Sequence, residues 1–225
     1  MSTIEFIIFD LDGTLVDSEA ICNRAFIDLL PELGNRSSIE ALVQMNRGRK
    51  FAEILSGLEL SFNLELDAGF ERRYRKRVKE LFSLELQPIE GVPEMLKTLD
   101  LPKCIASNAP LAKISHALEV CGLVEHFEGN IYSSYEIGAW KPDPGLYQHT
   151  ISDAGFRPEQ CVVVEDSEVG IRAAEAAGIG AFLYAPERSF SNEENCIVFQ
   201  SMDDLADLIA HRNNAAQQCA AAGRK

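Results

Sequence analysis

The fold of this chain is decided by residues 4–14, which read IEFIIFDLDGT. The first six of them are mostly branched or aromatic, a pattern typical of a strand buried on both faces of a parallel sheet. Asp10, Asp12 and Gly13 follow this run. Carboxylates at positions i and i+2 of an extended chain project to the same side. Asp10 and Asp12 are therefore predicted to converge just beyond the carboxyl edge of the sheet.

Similar apolar runs recur later in the chain, and helical patterns separate them. The further strand candidates are residues 103–106, 130–132, 161–164 and 181–184. The helical patterns between and around them are residues 91–99, 111–121, 144–154 and 170–177. Alternating strands and helices are typical of an α/β protein. The predicted fold class is a Rossmann-like, doubly wound parallel sheet.

One long segment interrupts this alternation. Residues 18–86 show helical periodicity and no convincing strand. About 70 helical residues are too many for one crossover between strands, and Pro88 and Gly91 indicate the return to the sheet. We therefore predict a helical cap domain at 18–86, inserted into a core domain made of 1–17 and 87–225. Residues 213–225, rich in Ala, Gln and Asn, are expected to form a frayed tail.

Composition and charge exclude several classes of protein. The 225 residues are 46% hydrophobic and 25% charged, as in a globular chain that buries a substantial core. With 21 basic and 35 acidic residues, the formal charge is 21 − 35 = −14, which disfavours nucleic acid and anionic lipid as partners. No run approaches the roughly 20 apolar residues of a membrane span, and the first residues lack the basic region of a signal peptide. A cytoplasmic location without nucleic-acid or membrane binding is expected.

A second strand candidate also ends in acids. Residues 161–167 read CVVVEDS, so Glu165 and Asp166 follow a buried strand as Asp10 does. Clustered carboxylates repel one another unless a cation or a shared proton relieves them, and oxygen ligands suit a hard metal ion. The alternative for Asp10 and Asp12 is that they only cap a turn, with Gly13 supplying a positive φ.

Hydrogen-bond donors and a cation, instead of acids, follow other strand candidates. Ser107 and Asn108 offer a hydroxyl and backbone N–H groups that suit phosphate oxygens, and Lys141 lies in a loop stiffened by Pro142 and Pro144. Each feature alone is as readily a turn or a solvated charge. Together they favour one shared site at the carboxyl edge, where open α/β sheets bind ligands.

The order of these motifs resembles that of a known family. The motifs Asp10-x-Asp12-Gly13-Thr14, Ser107-Asn108, Lys141-Pro142-Asp143-Pro144 and Glu165-Asp166 resemble the four motifs of the haloacid dehalogenase-like (HAD) phosphotransferases. The resemblance extends to about Glu187, and the helical insert falls where that family has its C1 cap. Within the family the chain looks most like the β-phosphoglucomutase-like subfamily, near the phosphatases of sugar phosphates and 6-phosphogluconate.

The resemblance implies a role for each motif residue. Asp10 would attack phosphorus and form an aspartyl phosphate. Asp12 would protonate the leaving oxygen and then activate water. Ser107 and the backbone of Asn108 would hold the transferring phosphoryl group, and Lys141 would offset charge between that group and Asp10.

The resemblance also implies Mg²⁺ as the cofactor. Its ligands would be Asp10, the backbone carbonyl of Asp12, and Asp166, with Glu165 in or next to the shell. A phosphate ester and a carboxylate nucleophile are both anions, so their repulsion must be cancelled before a bond forms, which Mg²⁺ and one lysine do.

A short basic segment of the insert is a candidate for substrate recognition. Residues 46–50 read NRGRK and resemble the substrate-reading loop of C1 caps. Arg47 is the favoured residue, because a guanidinium holds two oxygens of a carboxylate or phosphate. The alternative is an exposed cluster at a helix end.

The leading functional hypothesis is a Mg²⁺-dependent phosphatase that acts on a small phosphorylated metabolite, as a monomer or weak homodimer. A dehalogenase is disfavoured because those members lack the second acid, here Asp12. The alternative is a phosphosugar mutase, weakened because Cys22 stands where mutases have a cap-hinge histidine. The third hypothesis is a non-catalytic binding protein with this fold.

Overall fold

The core of the protein is a six-stranded, fully parallel sheet. The computed structural model describes residues 2–127, 129–186 and 196–222. The strands are β1 (Phe6–Phe9), β2 (Lys103–Ser107), β3 (Ile131–Ser133), β4 (Cys161–Glu165), β5 (Gly180–Tyr184) and β6 (Cys196–Phe199). Their order across the sheet is β3-β2-β1-β4-β5-β6. This architecture confirms the predicted Rossmann-like α/β class.

Strand β1 lies in the centre of the sheet. It pairs in parallel with β2 on one side and β4 on the other, so that Ile8 is opposite both Cys104 and Val163. Its side chains alternate between the apolar layers of the two faces, and all four residues are at most 4% exposed. Each such burial stabilises the fold by about 1.5–3 kcal/mol. The continuous apolar run before Asp10 is thereby explained, and Asp10 emerges at the middle of the carboxyl edge.

The described residues between β1 and β2 contain five helices before the chain returns to the core. These are α1 (Glu19–Leu29), α2 (Pro31–Gly34), α3 (Ile39–Asn46), α4 (Phe51–Phe62) and α5 (Phe70–Glu85). The ring of Phe26 stacks on Tyr74 at a centroid distance of 4.2 Å and lies 6.2 Å from Phe51. An aromatic cluster therefore joins α1, α4 and α5.

Two adjacent linker segments, residues 15–17 and 87–89, connect the helical segment to the core. Asp17 N–H donates to Gln87 O at 3.0 Å, and Ile89 N–H donates to Leu15 O at 3.0 Å. The chain thus leaves and re-enters the core at one place. That 18–86 forms a separate cap domain, with the core in 1–17 and 87–225, stays a prediction.

Helices from the rest of the chain cover the sheet. They are α6 (Val92–Thr98), α7 (Leu111–Cys121), α8 (Ser134–Ile137), α9 (Gly145–Ala154), α10 (Glu168–Ala176) and α11 (Leu205–Ala222). Short 3₁₀ turns occupy Val124–His126, Pro158–Gln160 and Met202–Asp204. Among the helices of the described ranges, none combines the length and apolar character that crossing a bilayer requires.

Most of the segment predicted to form a frayed tail, residues 213–222, is helical in the structure. These residues continue helix α11, and residues 223–225 lie outside the described residues. Asn213 Nδ2 donates to Ile4 O at 3.1 Å and its Oδ1 accepts from Ile4 N–H at 2.6 Å, while Ala216 is 2% exposed. The hydrogen bonds between the Asn213 side chain and the Ile4 backbone, and the burial of Ala216, hold this helix against the core. An asparagine and an alanine do not produce the repeating large apolar residues by which an amphipathic helix is predicted from sequence.

The edge strand β6 was also not anticipated. Three of its four residues are only half-buried, and it pairs with β5 alone among the described strands. A short run on a sheet edge carries little of the hydrophobic pattern that marks a central strand.

Replacement of Gly170 by Ala is expected to destabilise the protein by about 1–3 kcal/mol through overpacking. A Cβ atom there would lie 1.8 Å from Glu165 Oε1, a carboxylate held in place by several donors. The matched control is Gly57→Ala in α4, where the added methyl meets nothing within 4 Å. Ala in a helix is favoured over Gly by about 0.5–1 kcal/mol, so this control should gain stability. Urea unfolding measures both, and equal gains would contradict the predicted clash.

Candidate active site

The predicted site residues lie at the carboxyl ends of three adjacent strands. Asp10 and Asp12 follow β1, Ser107 ends β2, and Glu165 ends β4. Asn108, Lys141 and Asp166 also line the cavity that opens there. Since β1 lies between β2 and β4, the fold brings together residues that are more than 150 positions apart in the sequence.

A buried lysine bridges two of the carboxylates. Lys141 Nζ lies 2.5 Å from Asp10 Oδ1 and 2.7 Å from Glu165 Oε1, and the residue is 4% exposed. Burial raises the pKa of Asp10 to about 7, against the opposing effect of the Lys141 ammonium. Burial by itself lowers the pKa of Lys141, but Asp10 and Glu165 outweigh it and raise that pKa well above its usual value. Lys141 is thus held as a cation beside Asp10.

The acids at this edge form a cluster that fits a divalent cation. Carboxylate oxygens of Asp10, Glu165 and Asp166 lie within 4.8 Å of one another. Asp166 Oδ2 is buried and accepts no hydrogen bond, although Arg47 Nε lies 3.4 Å away. A side chain at Gly13 would fill this space, since its Cβ would lie 2.4 Å from Asp166 Oδ2. Three buried carboxylates against one buried ammonium, with one buried oxygen that accepts no hydrogen bond, are chemically suited to Mg²⁺.

Glu165 differs from the other two acids because its oxygens are already occupied. Oε1 accepts from Lys141 Nζ and from Tyr147 Oη at 3.1 Å. Oε2 accepts from the N–H groups of Asp166 and Ser167 at 3.2 and 3.1 Å and from Ser167 Oγ at 2.8 Å. A carboxylate has about four acceptor positions, so these five donors fill them. Glu165 is therefore placed to orient Lys141.

The side chain of Asp12 has partners of its own. Both of its oxygens lie 2.8 Å from Lys113 Nζ, and Ser18 Oγ donates to Oδ1. Sequence reasoning missed Lys113, because one lysine within the pattern of a helix carries no signal of its own. The packing of α7 against the loop that follows β1 brings Lys113 to Asp12.

Ser107 and Asn108 line the cavity beside the loop that carries Lys141. Ser107 Oγ accepts from Ala109 N–H at 3.1 Å. Asn108 Oδ1 accepts from Lys141 N–H at 3.0 Å and from Ser134 Oγ at 2.8 Å. The Asn108 side chain thus joins the loop after β2 to the loop that carries Lys141.

Arg47 follows α3 and points toward the same acids. Its Nε donates to the two carboxylate oxygens of Glu19 at 2.8 and 3.0 Å, in addition to its 3.4 Å approach to Asp166. The structure therefore places Arg47 at the cavity with its guanidinium paired to a helix α1 acid. Its role in substrate binding stays a prediction.

A cavity of about 710 Å³ lies between these loops and the inserted helices. Its helical wall includes Phe51, Tyr74 and Phe82 beside basic residues such as Arg49 and Lys79. An apolar wall with a few charged groups is typical of a small-molecule site.

Two contacts between the inserted helices and the core flank this cavity. Lys50 Nζ lies 3.7 Å from the ring centroid of Trp140, and Arg75 donates to Tyr135 Oη at 3.1 Å. Neither aromatic residue was singled out in the sequence, since both lie outside the strand-end pattern that identified the other site residues.

Comparison with known proteins adds a family and named relatives. A family model described as haloacid dehalogenase-like hydrolase matches residues 4–178. The 6-phosphogluconate phosphatase of Escherichia coli (strain K12) is 35% identical over 188 residues, which cover 83% of this chain and 85% of the relative. The fructose-1-phosphate phosphatase YqaB of the same strain is 27% identical over 179 residues, covering 78% and 93%.

A solved structure shows the same arrangement of elements. The HAD family hydrolase from Deinococcus radiodurans R1, described with bound phosphate and sodium, superposes with a TM-score of 0.75 at 27% identity. The superposition covers 94% of this chain and 97% of that one.

Proposed function

The chain belongs to the haloacid dehalogenase-like hydrolase family and is a phosphatase, and from that premise we propose that it hydrolyses a small phosphorylated sugar or sugar acid with Mg²⁺ through an aspartyl phosphate. The family match confirms the resemblance stated from the four motifs. One observation carries the proposal: Asp10 lies in a buried acid cluster, 2.5 Å from the Lys141 ammonium, beside Ser107 and Asn108 at the cavity.

The proposed reaction has two displacements at phosphorus. An oxygen of Asp10 attacks phosphorus, the bond to the ester oxygen breaks, and Asp12 gives that oxygen a proton, so that the alcohol leaves. Water then attacks the aspartyl phosphate, its proton passes to Asp12, and inorganic phosphate and the Asp10 carboxylate are released. Lys141 reduces the repulsion between Asp10 and the phosphoryl oxygens, and Ser107 with the Asn108 backbone donates to those oxygens.

The proposed metal ligands are the side chains of Asp10 and Asp166 and the backbone carbonyl of Asp12. Mg²⁺ held by these groups would supply the positive charge that offsets the repulsion of a carboxylate nucleophile for a phosphate ester. Glu165 lies next to these ligands and is assigned to holding Lys141, because its acceptor positions are filled by protein donors.

The substrate class is proposed from the relatives and the cavity. The two relatives are named for 6-phosphogluconate and fructose 1-phosphate, which are phosphate esters of a sugar acid and a sugar. The basic residues Arg47, Arg49 and Lys79 that line the cavity suit a substrate with a second anionic or polar end.

A phosphate-release screen tests this function. We expect turnover of some sugar or sugar-acid phosphates in a broad panel when Mg²⁺ is present, and its loss when EDTA is added. No turnover across the panel would favour a non-catalytic protein. Conversion of β-glucose 1-phosphate to the 6-phosphate, with little phosphate released, would favour the mutase instead.

Magnesium is expected to stabilise the wild-type protein and to lose that effect in Asp166→Asn. Binding at a concentration 100 times Kd contributes about 2.7 kcal/mol, which corresponds to a rise in Tm of about 5–10 °C for a chain of this size. Asp100→Asn, a change at an exposed acid far from the cluster in sequence, is the matched control. Thermal unfolding with and without MgCl₂ measures the effect, and an equal rise in Asp166→Asn would exclude that residue as a ligand.

A further inference from the structure

We propose that Lys113 is a positioning residue that holds the Asp12 carboxyl in the orientation from which it protonates the leaving oxygen. The inference rests on the proposed function, which assigns that proton transfer to Asp12. Lys113 belongs to none of the four motifs, and it lies 101 positions from Asp12 in the sequence.

The contact geometry fixes the plane of the carboxyl group. Lys113 Nζ is 2.8 Å from both Asp12 oxygens, so it lies between them, and Ser18 Oγ donates to Oδ1. An ionised carboxylate has about four acceptor positions. Two donor groups of the described residues, Lys113 Nζ and Ser18 Oγ, make three hydrogen bonds to Asp12, of which two are to Oδ1 and one is to Oδ2. The remaining position is on Oδ2, and Asp12 lines the cavity.

Lys113 is also held more firmly than a surface lysine. Its side chain is 23% exposed, and its Nζ lies 5.6 Å from the ring centroid of Phe82 on α5. Helix α7, which carries Lys113, begins three residues after Asn108. The same helix therefore follows the phosphate-binding loop directly and orients the proton donor, so the two groups are fixed relative to each other.

Orientation matters most for leaving groups that need a proton. As the phosphorus–oxygen bond of an alkyl ester breaks, the ester oxygen becomes an alkoxide and must take the proton of Asp12. The carboxylate that remains lies beside the Lys113 ammonium, which stabilises it. A dinitrophenolate leaves without a proton, so its departure does not depend on where Asp12 points.

The test compares kcat/KM for two esters, because this ratio reports the steps up to departure of the leaving group. The esters are 2,4-dinitrophenyl phosphate and 6-phosphogluconate, the latter replaced by a better sugar phosphate if the screen finds one. We expect Lys113→Met to lower kcat/KM for the sugar ester by about 10- to 100-fold and for the aryl ester by less than about threefold. Lys113→Gln, which retains a polar end, is measured beside it, so the test does not depend on one variant folding.

Two further variants separate this inference from the proposed function. Asp12→Asn should show the same selective loss, at about 10²- to 10⁴-fold for the sugar ester. Lys97→Met, at an exposed lysine paired with Glu94, should change neither ratio. If the Lys113 variants lose activity equally for both esters, or lose none, the positioning role of Lys113 is overturned. A selective loss in Asp12→Asn would still support the proposed function in that case. No selective loss in Asp12→Asn would instead overturn the assignment of Asp12.

Discussion

Replacement of Asp10 by Asn is expected to lower kcat for every phosphate ester on the order of 10⁴- to 10⁶-fold, the range seen when an enzyme loses its nucleophile. Asn has nearly the same shape, so the fold should persist. It lacks the anionic oxygen that attacks phosphorus, and it removes one carboxylate from the acid cluster at the cavity. Phosphate release at saturating substrate measures the loss, and circular dichroism checks the fold.

Trapping the intermediate makes this test specific to the mechanism. Wild-type protein is mixed with a substrate labelled in its phosphoryl group and quenched in acid. It should retain a label that alkali removes, as expected of an acyl phosphate. The Asp10→Asn variant should retain none, and Asp100→Asn, at an exposed position, should behave like the wild type. Label or full turnover in Asp10→Asn would remove Asp10 from the mechanism.

Replacement of Lys141 by Met is expected to reduce the free energy of unfolding by about 3–5 kcal/mol and to abolish most activity. Methionine fills a similar volume but leaves the buried carboxylates of Asp10 and Glu165 without their common cation. Removing one partner of a buried ion pair is costly because the other charge stays buried and unpaired. Urea unfolding in the absence of divalent metal measures the change in stability.

An exposed lysine provides the matched control for Lys141. Lys97 Nζ lies 2.8 Å from Glu94 Oε1, but the two side chains are 58% and 73% exposed. Exposed pairs contribute about 0–1 kcal/mol, so Lys97→Met should be nearly neutral. If Lys141→Met were as mild as this control, the buried lysine would not be compensating the acids.

The core could be predicted because its signal is local. Strand β1 is an unbroken apolar run that ends in two acids, and helix α7 was predicted at the same residues that it occupies, Leu111–Cys121. Burial on both faces leaves no polar alternation, so a short sequence window contains the whole pattern. Strand β6 and helix α11 were not predicted, because an edge strand and an anchored alanine-rich helix carry no comparable pattern.

Some residues of the candidate site could likewise be predicted from the sequence, and others could not. The four motifs were visible since each follows a strand candidate, and parallel strands bring their carboxyl ends to one edge. Lys113, Tyr135 and Trp140 were not visible, because their contacts depend on how α7 and the inserted helices pack above that edge. The filled acceptor positions of Glu165 likewise became evident only from its surroundings.

By itself, the sequence determined that this protein has a parallel α/β sheet, that Asp10 and Asp12 emerge from its first strand, and that acids, a lysine and a serine–asparagine pair follow the other strands. These are properties of chain segments a few residues long. Only the tertiary structure decided which charges meet: Lys141 with Asp10 and Glu165, Lys113 with Asp12, and Arg47 with Glu19 near Asp166. The reason is that an ion pair depends on distances of a few ångströms between side chains, and packing of distant segments sets those distances.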